Sequence, residues 1–142
     1  MQDNLTPYAL VADDDPLLRM DASDILQEAG FRVHEAAGYD DAVSILKEAG
    51  ASIQLLFTDV QMPPGQMNGF HLARHCARDW PDIKILVASG QIKPGPGDMP
   101  DGAVFVSKPF SSKVIHDRLQ ELLPDGQKPE PLLKMAHRST RS

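Results

Sequence analysis

The sequence has few of the features that mark secreted or membrane proteins. Its single cysteine, Cys76, has no partner for an internal disulfide, which fits a reducing cytoplasm. Cys76 lies among helix-forming residues and is predicted to be a small packed side chain. The apolar runs, such as residues 55–57 and 85–88, are too short to span a bilayer, and residues 1–4 do not resemble a signal peptide. We expect a cytoplasmic protein that does not enter the membrane.

Basic residues are scarce outside the C-terminal segment. The net charge is −6; residues 1–123 carry 10 basic and 18 acidic side chains, whereas residues 124–142 carry a net charge of +2. Nucleic-acid-binding faces need clustered Lys and Arg, so we expect no direct binding to nucleic acid. Proline and glycine are frequent in residues 124–142, which we interpret as a flexible or loosely docked tail behind a single domain at 1–123.

Short apolar runs alternate with amphipathic segments through residues 1–123. They predict strands at 8–12, 31–36, 53–58, 83–88 and 103–107, and helices at 16–29, 39–49, 69–79 and 111–123. The Gly- and Pro-rich stretch 90–102 leaves room for at most one helical turn, near Asp98. Periodicity places Leu18 and Val114 on the inward faces of the first and last helices. The alternation predicts an α/β fold with a doubly wound parallel sheet and right-handed crossovers.

Three consecutive aspartates, Asp13, Asp14 and Asp15, follow the first predicted strand. Asp15 before Pro16 fits a helix N-cap with proline at the first helical position. Adjacent carboxylates repel one another, and the carboxyl ends of strands are where open α/β sheets bind ligands. Asp13 and Asp14 therefore suit a hard divalent cation. An acidic turn in solvent is the alternative that this stretch alone leaves open.

Polar residues also follow three other strands: Asp59, Ser89 and Lys108. A doubly wound sheet brings these strand ends side by side. Asp59 is a usable nucleophile toward phosphorus, Lys108 offers a positive charge for a phosphoryl oxygen, and Ser89 offers a hydroxyl donor. Singly, the lysine also fits a surface position and the serine a turn. Together they indicate phosphoryl transfer, which needs little beyond positioning and charge neutralisation.

In this order and spacing the residues resemble the receiver domain of two-component response regulators, the CheY-like family, over about residues 8–123. The motifs that carry the resemblance are LVADDDP at 10–16, TDVQMP at 58–63 followed by Gly69, ASG at 88–90 and SKPF at 107–110. The resemblance implies the flavodoxin-like (βα)5 fold with strand order 2-1-3-4-5. It also implies a stand-alone regulator that accepts a phosphoryl group and signals through phosphorylation-dependent protein contacts.

The same resemblance implies a phosphoacceptor and a metal site. Asp59 would accept the phosphoryl group. Asp14 would bind Mg²⁺ directly with Asp13 assisting, and Asp59 and the main-chain carbonyl of Gln61 would complete the protein ligands. The donor would be a histidine kinase or a histidine phosphotransfer protein. An unidentified downstream protein and a second copy of the chain are the further partners it implies.

Ser89 and Lys108 would hold the phosphoryl group in a receiver, and Phe105 falls at the family's switch aromatic position. The Lys108–Pro109 bond is a candidate cis peptide. The chain departs from the family at 90–102, where a full fourth helix is replaced by a short Gly- and Pro-rich stretch. Phe105 lacks a hydroxyl, so any switch here would work by ring packing. The loop from Asp59 to Gly69 is about two residues longer than the common pattern.

Two other classes of protein fit parts of the sequence. A small phosphohydrolase of the haloacid dehalogenase type also uses an aspartyl phosphate, but that family has Asp-x-Asp followed by Gly or Thr, whereas Pro16 follows here. A scaffold with an unused pocket would be favoured by a missing acceptor or lysine, and both are present. The sequence therefore predicts a phosphorylation switch that is not a turnover enzyme.

Overall fold

Five strands and five α-helices form the part of the chain that the structure describes. This computed structural model describes residues 7–63, 65 and 67–141, and only the backbone for 136–141. No helix in this part is long and apolar enough to cross a membrane. The strands are β1 (Tyr8–Ala12), β2 (Arg32–Ala36), β3 (Ile53–Asp59), β4 (Lys84–Ser89) and β5 (Val104–Ser107). The helices are α1 (Pro16–Glu28), α2 (Tyr39–Ala49), α3 (Gly69–Asp79), α4 (Ser112–Leu122) and α5 (Glu130–Arg141).

The strands form one parallel sheet in the order β2-β1-β3-β4-β5, which confirms the predicted topology. In register, Ala12 lies beside Thr58, and Asp59 lies beside Ala88. The register brings the carboxyl ends of β1, β3 and β4 to the same edge of the sheet. The predicted polar strand ends therefore share one edge.

Successive residues of each central strand point to opposite faces of the sheet and form two cores. On β1 and β3, Ala9, Val11, Leu55 and Phe57 belong to the core that α1 and α4 cover. Leu10, Ala12 and Leu56 belong to the core that α2 and α3 cover. Cys76 is fully buried in this second core, where burial raises the pKa of its thiol to about 12. The prediction that Cys76 is a packed side chain is thus confirmed.

Residues 90–103, between β4 and β5, contain no helix, as the glycine and proline content predicted. A turn at residues 96–98 is held by the main-chain N–H of Gly95, which donates to Asp98 Oδ2 at 2.8 Å. Arg74 of α3 donates through Nη1 to the main-chain oxygen of Asp98 at 2.8 Å. Gly97 has a positive φ of 81°, which suits glycine. The loop is therefore tied to α3 by hydrogen bonds.

Two helix residues that periodicity placed on inward faces are exposed. Leu18 is 42% exposed and Val114 is 39% exposed, so both predictions were wrong. Each side chain lies in the first turn of its helix, next to the edge where the strands end and the sheet no longer covers it. The buried stripe of α1 begins one turn later and includes Ser23 and Leu26.

The C-terminal segment is helical and packs on the domain through residue 135. Leu132 of α5 is fully buried in the core beneath α1 and α4, and Gln120 Nε2 donates to its main-chain oxygen at 2.7 Å. Pro129 lies so close to Gly30 that a Cβ on the glycine would be 2.5 Å from its ring. Of the two possibilities that the sequence left open, a flexible or a loosely docked tail, these contacts favour docking. Proline limits the freedom of the unfolded segment, and Leu132, with Met135 packed against the same core, supplies the apolar anchor.

We expect Leu132→Ala to lower the free energy of unfolding by about 3 kcal/mol, because it removes a fully buried leucine from a packed core. The matched control is Leu133→Ala. Its side chain is 36% exposed, so the expected loss is under about 1 kcal/mol. Urea unfolding at 25 °C measures both. Equal small losses in the two variants would show that α5 contributes little to the fold.

Candidate functional site

The acidic loop after β1 is built around Asp13 and Asp15. The N–H of Asp13 donates to Ala36 O at 3.0 Å, and Asp13 Oδ1 accepts from the N–H of Asp15 at 2.9 Å. Asp15 Oδ1 accepts from the N–H of Leu17 at 2.9 Å and caps α1, with proline at its first position. The predicted N-cap is confirmed. Asp13 is buried, whereas Asp14 is exposed.

Asp59 is the last residue of β3 and is 5% exposed. The start of α3 comes very close to its backbone, because a Cβ on Gly69 would lie 1.9 Å from Asp59 O. Only glycine allows that approach. The N–H of Gly69 donates to Val60 O at 2.8 Å, and the N–H of Val60 donates to Ala88 O at 3.3 Å. These contacts hold the backbone of Asp59 at the strand end.

Lys108 joins the two buried aspartates. Its Nζ lies 3.0 Å from Asp59 Oδ1 and 3.5 Å from Asp13 Oδ2. Its main-chain N–H donates to Ser89 O at 3.0 Å, and the Lys108–Pro109 bond is cis, as expected. Ser89 is 2% exposed, and its Oγ accepts from the N–H of Ile92 at 3.2 Å. The structure therefore brings the side chains of Asp13, Asp59 and Lys108 into contact. The main chains of Ser89 and Lys108 are joined by a hydrogen bond.

The acidic cluster has the donor atoms that a hard cation requires. Asp13, Asp14 and Asp59 each contribute one carboxylate oxygen, and these three oxygens lie within 4.8 Å of one another. Three carboxylates beside one ammonium leave two formal negative charges, which a divalent cation would neutralise. Oxygen donors are those that Mg²⁺ prefers, so the cluster fits a receiver metal site. Gln61 lies two residues beyond Asp59, with an exposed side chain.

Burial raises the pKa of both Asp13 and Asp59 above the usual 3.8, and Lys108 offsets part of each rise. The N–H of Asp15 also lowers the pKa of Asp13. The folded protein therefore holds these two protons more tightly than the unfolded chain does. As the pH rises from about 4 through the raised values, ionisation lowers the stability of the metal-free fold. A cation bound to the carboxylates acts in the opposite direction.

Phe105, the predicted switch residue, lies on β5 at the outer side of the site. It is half-buried and packs on the core beneath α2 and α3. Lys93 of the 90–103 loop places its Nζ 5.5 Å from the centre of the Phe105 ring. The same ammonium donates to Ser107 Oγ at 2.8 Å. The loop is therefore attached to β5 beside the aromatic ring.

Lys93 and Arg19 lie outside the motifs that predicted the site. Arg19 of α1 donates through Nη1 to Asp13 O at 2.8 Å and through Nε to Glu35 Oε1 at 3.1 Å. A signal for Arg19 was present, since it is the single basic residue among six acidic ones between positions 13 and 28. Lys93 lies in a loop whose path periodicity does not predict.

Comparison with known proteins agrees with this geometry. The response regulator receiver domain matches residues 9–120. The chain belongs to that family. It is 32% identical over 118 residues to the response regulator receiver protein CpdR of Brucella abortus (strain 2308), covering 80% of this chain and 94% of CpdR. The structure of chemotaxis response regulator CheY4 of Vibrio cholerae superposes with a TM-score of 0.71 at 26% identity, covering 83% of this chain and 99% of that one.

Longer relatives contain the receiver as one part. Sensor kinase CckA of Brucella abortus (strain 2308) is 34% identical over 119 residues, which are 80% of this chain and 12% of the kinase. The chain spans half of the phosphate regulon regulatory protein PhoB of Escherichia coli (strain K12). The chain is thus a CheY-like receiver of two-component signalling, and such domains are typically not turnover enzymes. That family membership does not favour the haloacid dehalogenase interpretation.

We expect Asp13→Asn to raise the free energy of unfolding in EDTA at pH 7 by about 1 kcal/mol, because it removes a buried charge beside Asp59. The amide oxygen can still accept from the N–H of Asp15. Asp14→Asn is the control; Asp14 is exposed, so its effect should stay within about 0.5 kcal/mol. Chemical denaturation measures both. A loss of stability in Asp13→Asn would contradict the inference that the buried charge of Asp13 destabilises the metal-free protein.

Proposed function

We propose that Asp59 accepts a phosphoryl group from a histidine kinase or a histidine phosphotransfer protein, with Mg²⁺, and that the protein signals by a phosphorylation-dependent change in its protein contacts. The observation that carries the proposal is the convergence of three strand ends. Lys108 Nζ lies 3.0 Å from Asp59 Oδ1, and carboxylate oxygens of Asp13, Asp14 and Asp59 lie within 4.8 Å of one another.

Asp59 has the strongest case as the acceptor among the three aspartates. It ends a buried strand, and neighbouring segments hold its backbone in place. Its carboxylate makes the shorter contact with Lys108. Asp13 uses one oxygen to accept from the N–H of Asp15, and Asp14 is exposed. Asp13 and Asp14, with Asp59 and the Gln61 carbonyl, would hold Mg²⁺.

The reaction transfers a phosphoryl group from a histidine nitrogen to a carboxylate oxygen. An Asp59 oxygen attacks phosphorus, the P–N bond breaks, and the imidazole leaves with the bonding electron pair. The Lys108 ammonium neutralises charge on a phosphoryl oxygen, and the Ser89 hydroxyl donates to another. Mg²⁺ held by Asp13, Asp14 and Asp59 would supply positive charge that reduces the repulsion between an anionic phosphoryl group and the acidic pocket.

Exposed apolar residues beside the acidic loop support a protein as the phosphodonor. Leu17 is 72% exposed, Leu18 is 42% exposed and Met20 is 53% exposed, and all three lie in the first two turns of α1. A group of exposed large apolar side chains is typical of an interaction surface. We propose that the donor protein contacts this end of α1 while its histidine reaches Asp59.

Asp59→Asn should abolish phosphorylation, because an amide is a poor nucleophile toward phosphorus. Incubation of the wild type with acetyl phosphate and Mg²⁺ should add one acid-stable, base-labile phosphoryl group, detected by intact-protein mass spectrometry. Asp24→Asn, on the exposed side of α1, should label like the wild type. Phosphorylation that persists in Asp59→Asn would assign the acceptor to another residue.

Output is proposed to pass through the 90–103 loop. A hydroxyl donates one hydrogen bond and accepts two, so Ser89 can donate to a phosphoryl oxygen while still accepting from the N–H of Ile92. Movement of Ser89 would then carry the loop, including Lys93 above the Phe105 ring. The result is a shift between two packings of the ring. Pro94, Pro96 and Pro100 limit the change because proline fixes φ.

Amide hydrogen exchange with and without beryllofluoride, a mimic of the phosphoryl group, should change between residues 89 and 110, because the loop and Phe105 follow Ser89. We expect a local change without reordering of the sheet. Asp59→Asn with beryllofluoride is the control and should show no change. Changes confined to residues 16–29, with none between 89 and 110, would contradict this route.

A further inference from the structure

Arg19 connects three parts of the structure. Its side chain is 20% exposed and extends from α1 over the acidic loop. Nη1 donates to the main-chain oxygen of Asp13 at 2.8 Å, and Nε donates to Glu35 Oε1 at 3.1 Å. Glu35 lies on β2, the strand that pairs with β1. One guanidinium group therefore links α1, the acidic loop and β2.

The contact with Arg19 completes the restraint on the Asp13 main chain. The N–H of Asp13 donates to Ala36 O at 3.0 Å, and its carbonyl accepts from Arg19 at 2.8 Å. The peptide bond that follows is planar, so fixing this carbonyl also fixes the direction of the peptide that leads to Asp14. The side chain of Asp14 is exposed, so its position depends on the backbone that carries it.

We propose that Arg19 is a positioning residue for the metal site, holding the Asp13–Asp14 peptide so that both carboxylates face Asp59. The proposal rests on the proposed function, because it requires the acidic cluster to bind Mg²⁺. The Arg19 contact is to a main-chain oxygen rather than to a carboxylate, so the residue leaves the carboxylate donor atoms available. Glu35 orients the guanidinium from the other side.

Charge and geometry make opposite predictions for the removal of Arg19. Arg19 is a positive charge beside an acidic pocket, so its loss by Coulomb's law alone would make the pocket more negative and tighten Mg²⁺ binding. If Arg19 positions the loop, its loss weakens binding because Asp13 and Asp14 are no longer held toward Asp59. The sign of the change in affinity therefore distinguishes the two effects.

The test is Mg²⁺ titration of the full chain by isothermal titration calorimetry. Arg19→Met keeps an apolar stem of similar length and should raise the Mg²⁺ Kd about tenfold, the effect typical of losing a partner that orients a metal ligand. Arg19→Lys keeps the charge but lacks the planar fork that reaches two acceptors, so it should also weaken binding. Asp24→Asn, whose side chain is exposed on α1, is the control and should change the Kd less than about twofold, because solvent and salt screen an exposed charge.

Two further measurements separate positioning from a general loss of structure. In EDTA, the thermal unfolding transition of Arg19→Lys should lie above 25 °C, so that the variant is folded at the temperature of the titration. Acetyl phosphate labelling of that variant should recover at saturating Mg²⁺, because its defect is in metal affinity. Unchanged or tighter Mg²⁺ binding in both Arg19 variants, with normal binding in the wild type, would overturn the role of Arg19 alone. A wild type that takes up neither Mg²⁺ nor a phosphoryl group would instead overturn the proposed function.

Discussion

The arrangement of the site depends on one ammonium group among buried carboxylates. Lys108 contacts both Asp59 and Asp13, and without it two nearly buried acids would face each other with no counter-charge. Lys108 offsets only part of the rise in pKa that burial causes, since the pKa values of both aspartates remain raised. Three carboxylates stand beside this one ammonium, so the pocket has the excess of acidic groups that suits a divalent cation.

The backbone around Lys108 links the acidic pocket to the 90–103 loop. Its N–H donates to Ser89 O, and the Ser89 hydroxyl accepts from the first part of the 90–103 loop. Lys93 then attaches that loop to β5. Although this receiver has no helix between β4 and β5, hydrogen bonds attach the 90–103 loop to Ser89 and Ser107, and Lys93 Nζ lies over the Phe105 ring.

The C-terminal segment packs on the side of the domain that lies away from the acidic pocket. Leu132 completes the core beneath α1 and α4, and the fit of Pro129 against Gly30 leaves no room for a side chain on the glycine. Contacts with the core therefore continue beyond residue 120, where the family match ends. This contact lies next to the start of β2, away from the acidic pocket, so it contributes to stability separately from the phosphoryl chemistry.

The resemblance to receiver domains implied the strand order 2-1-3-4-5. The residues themselves were enough to predict a parallel sheet, the absence of a full helix at 90–102, the Asp15 cap and the convergence of Asp13, Asp59 and Lys108. These follow from strand-length apolar runs, local turn chemistry and the rule that parallel strand ends share an edge. Tertiary structure alone decided the exposure of Leu18, the burial of Leu132 and the contact of Arg19 with Asp13 O. The reason is physical: periodicity reports which residues share a face of one element, whereas burial and side-chain contacts depend on what a distant segment places against that face.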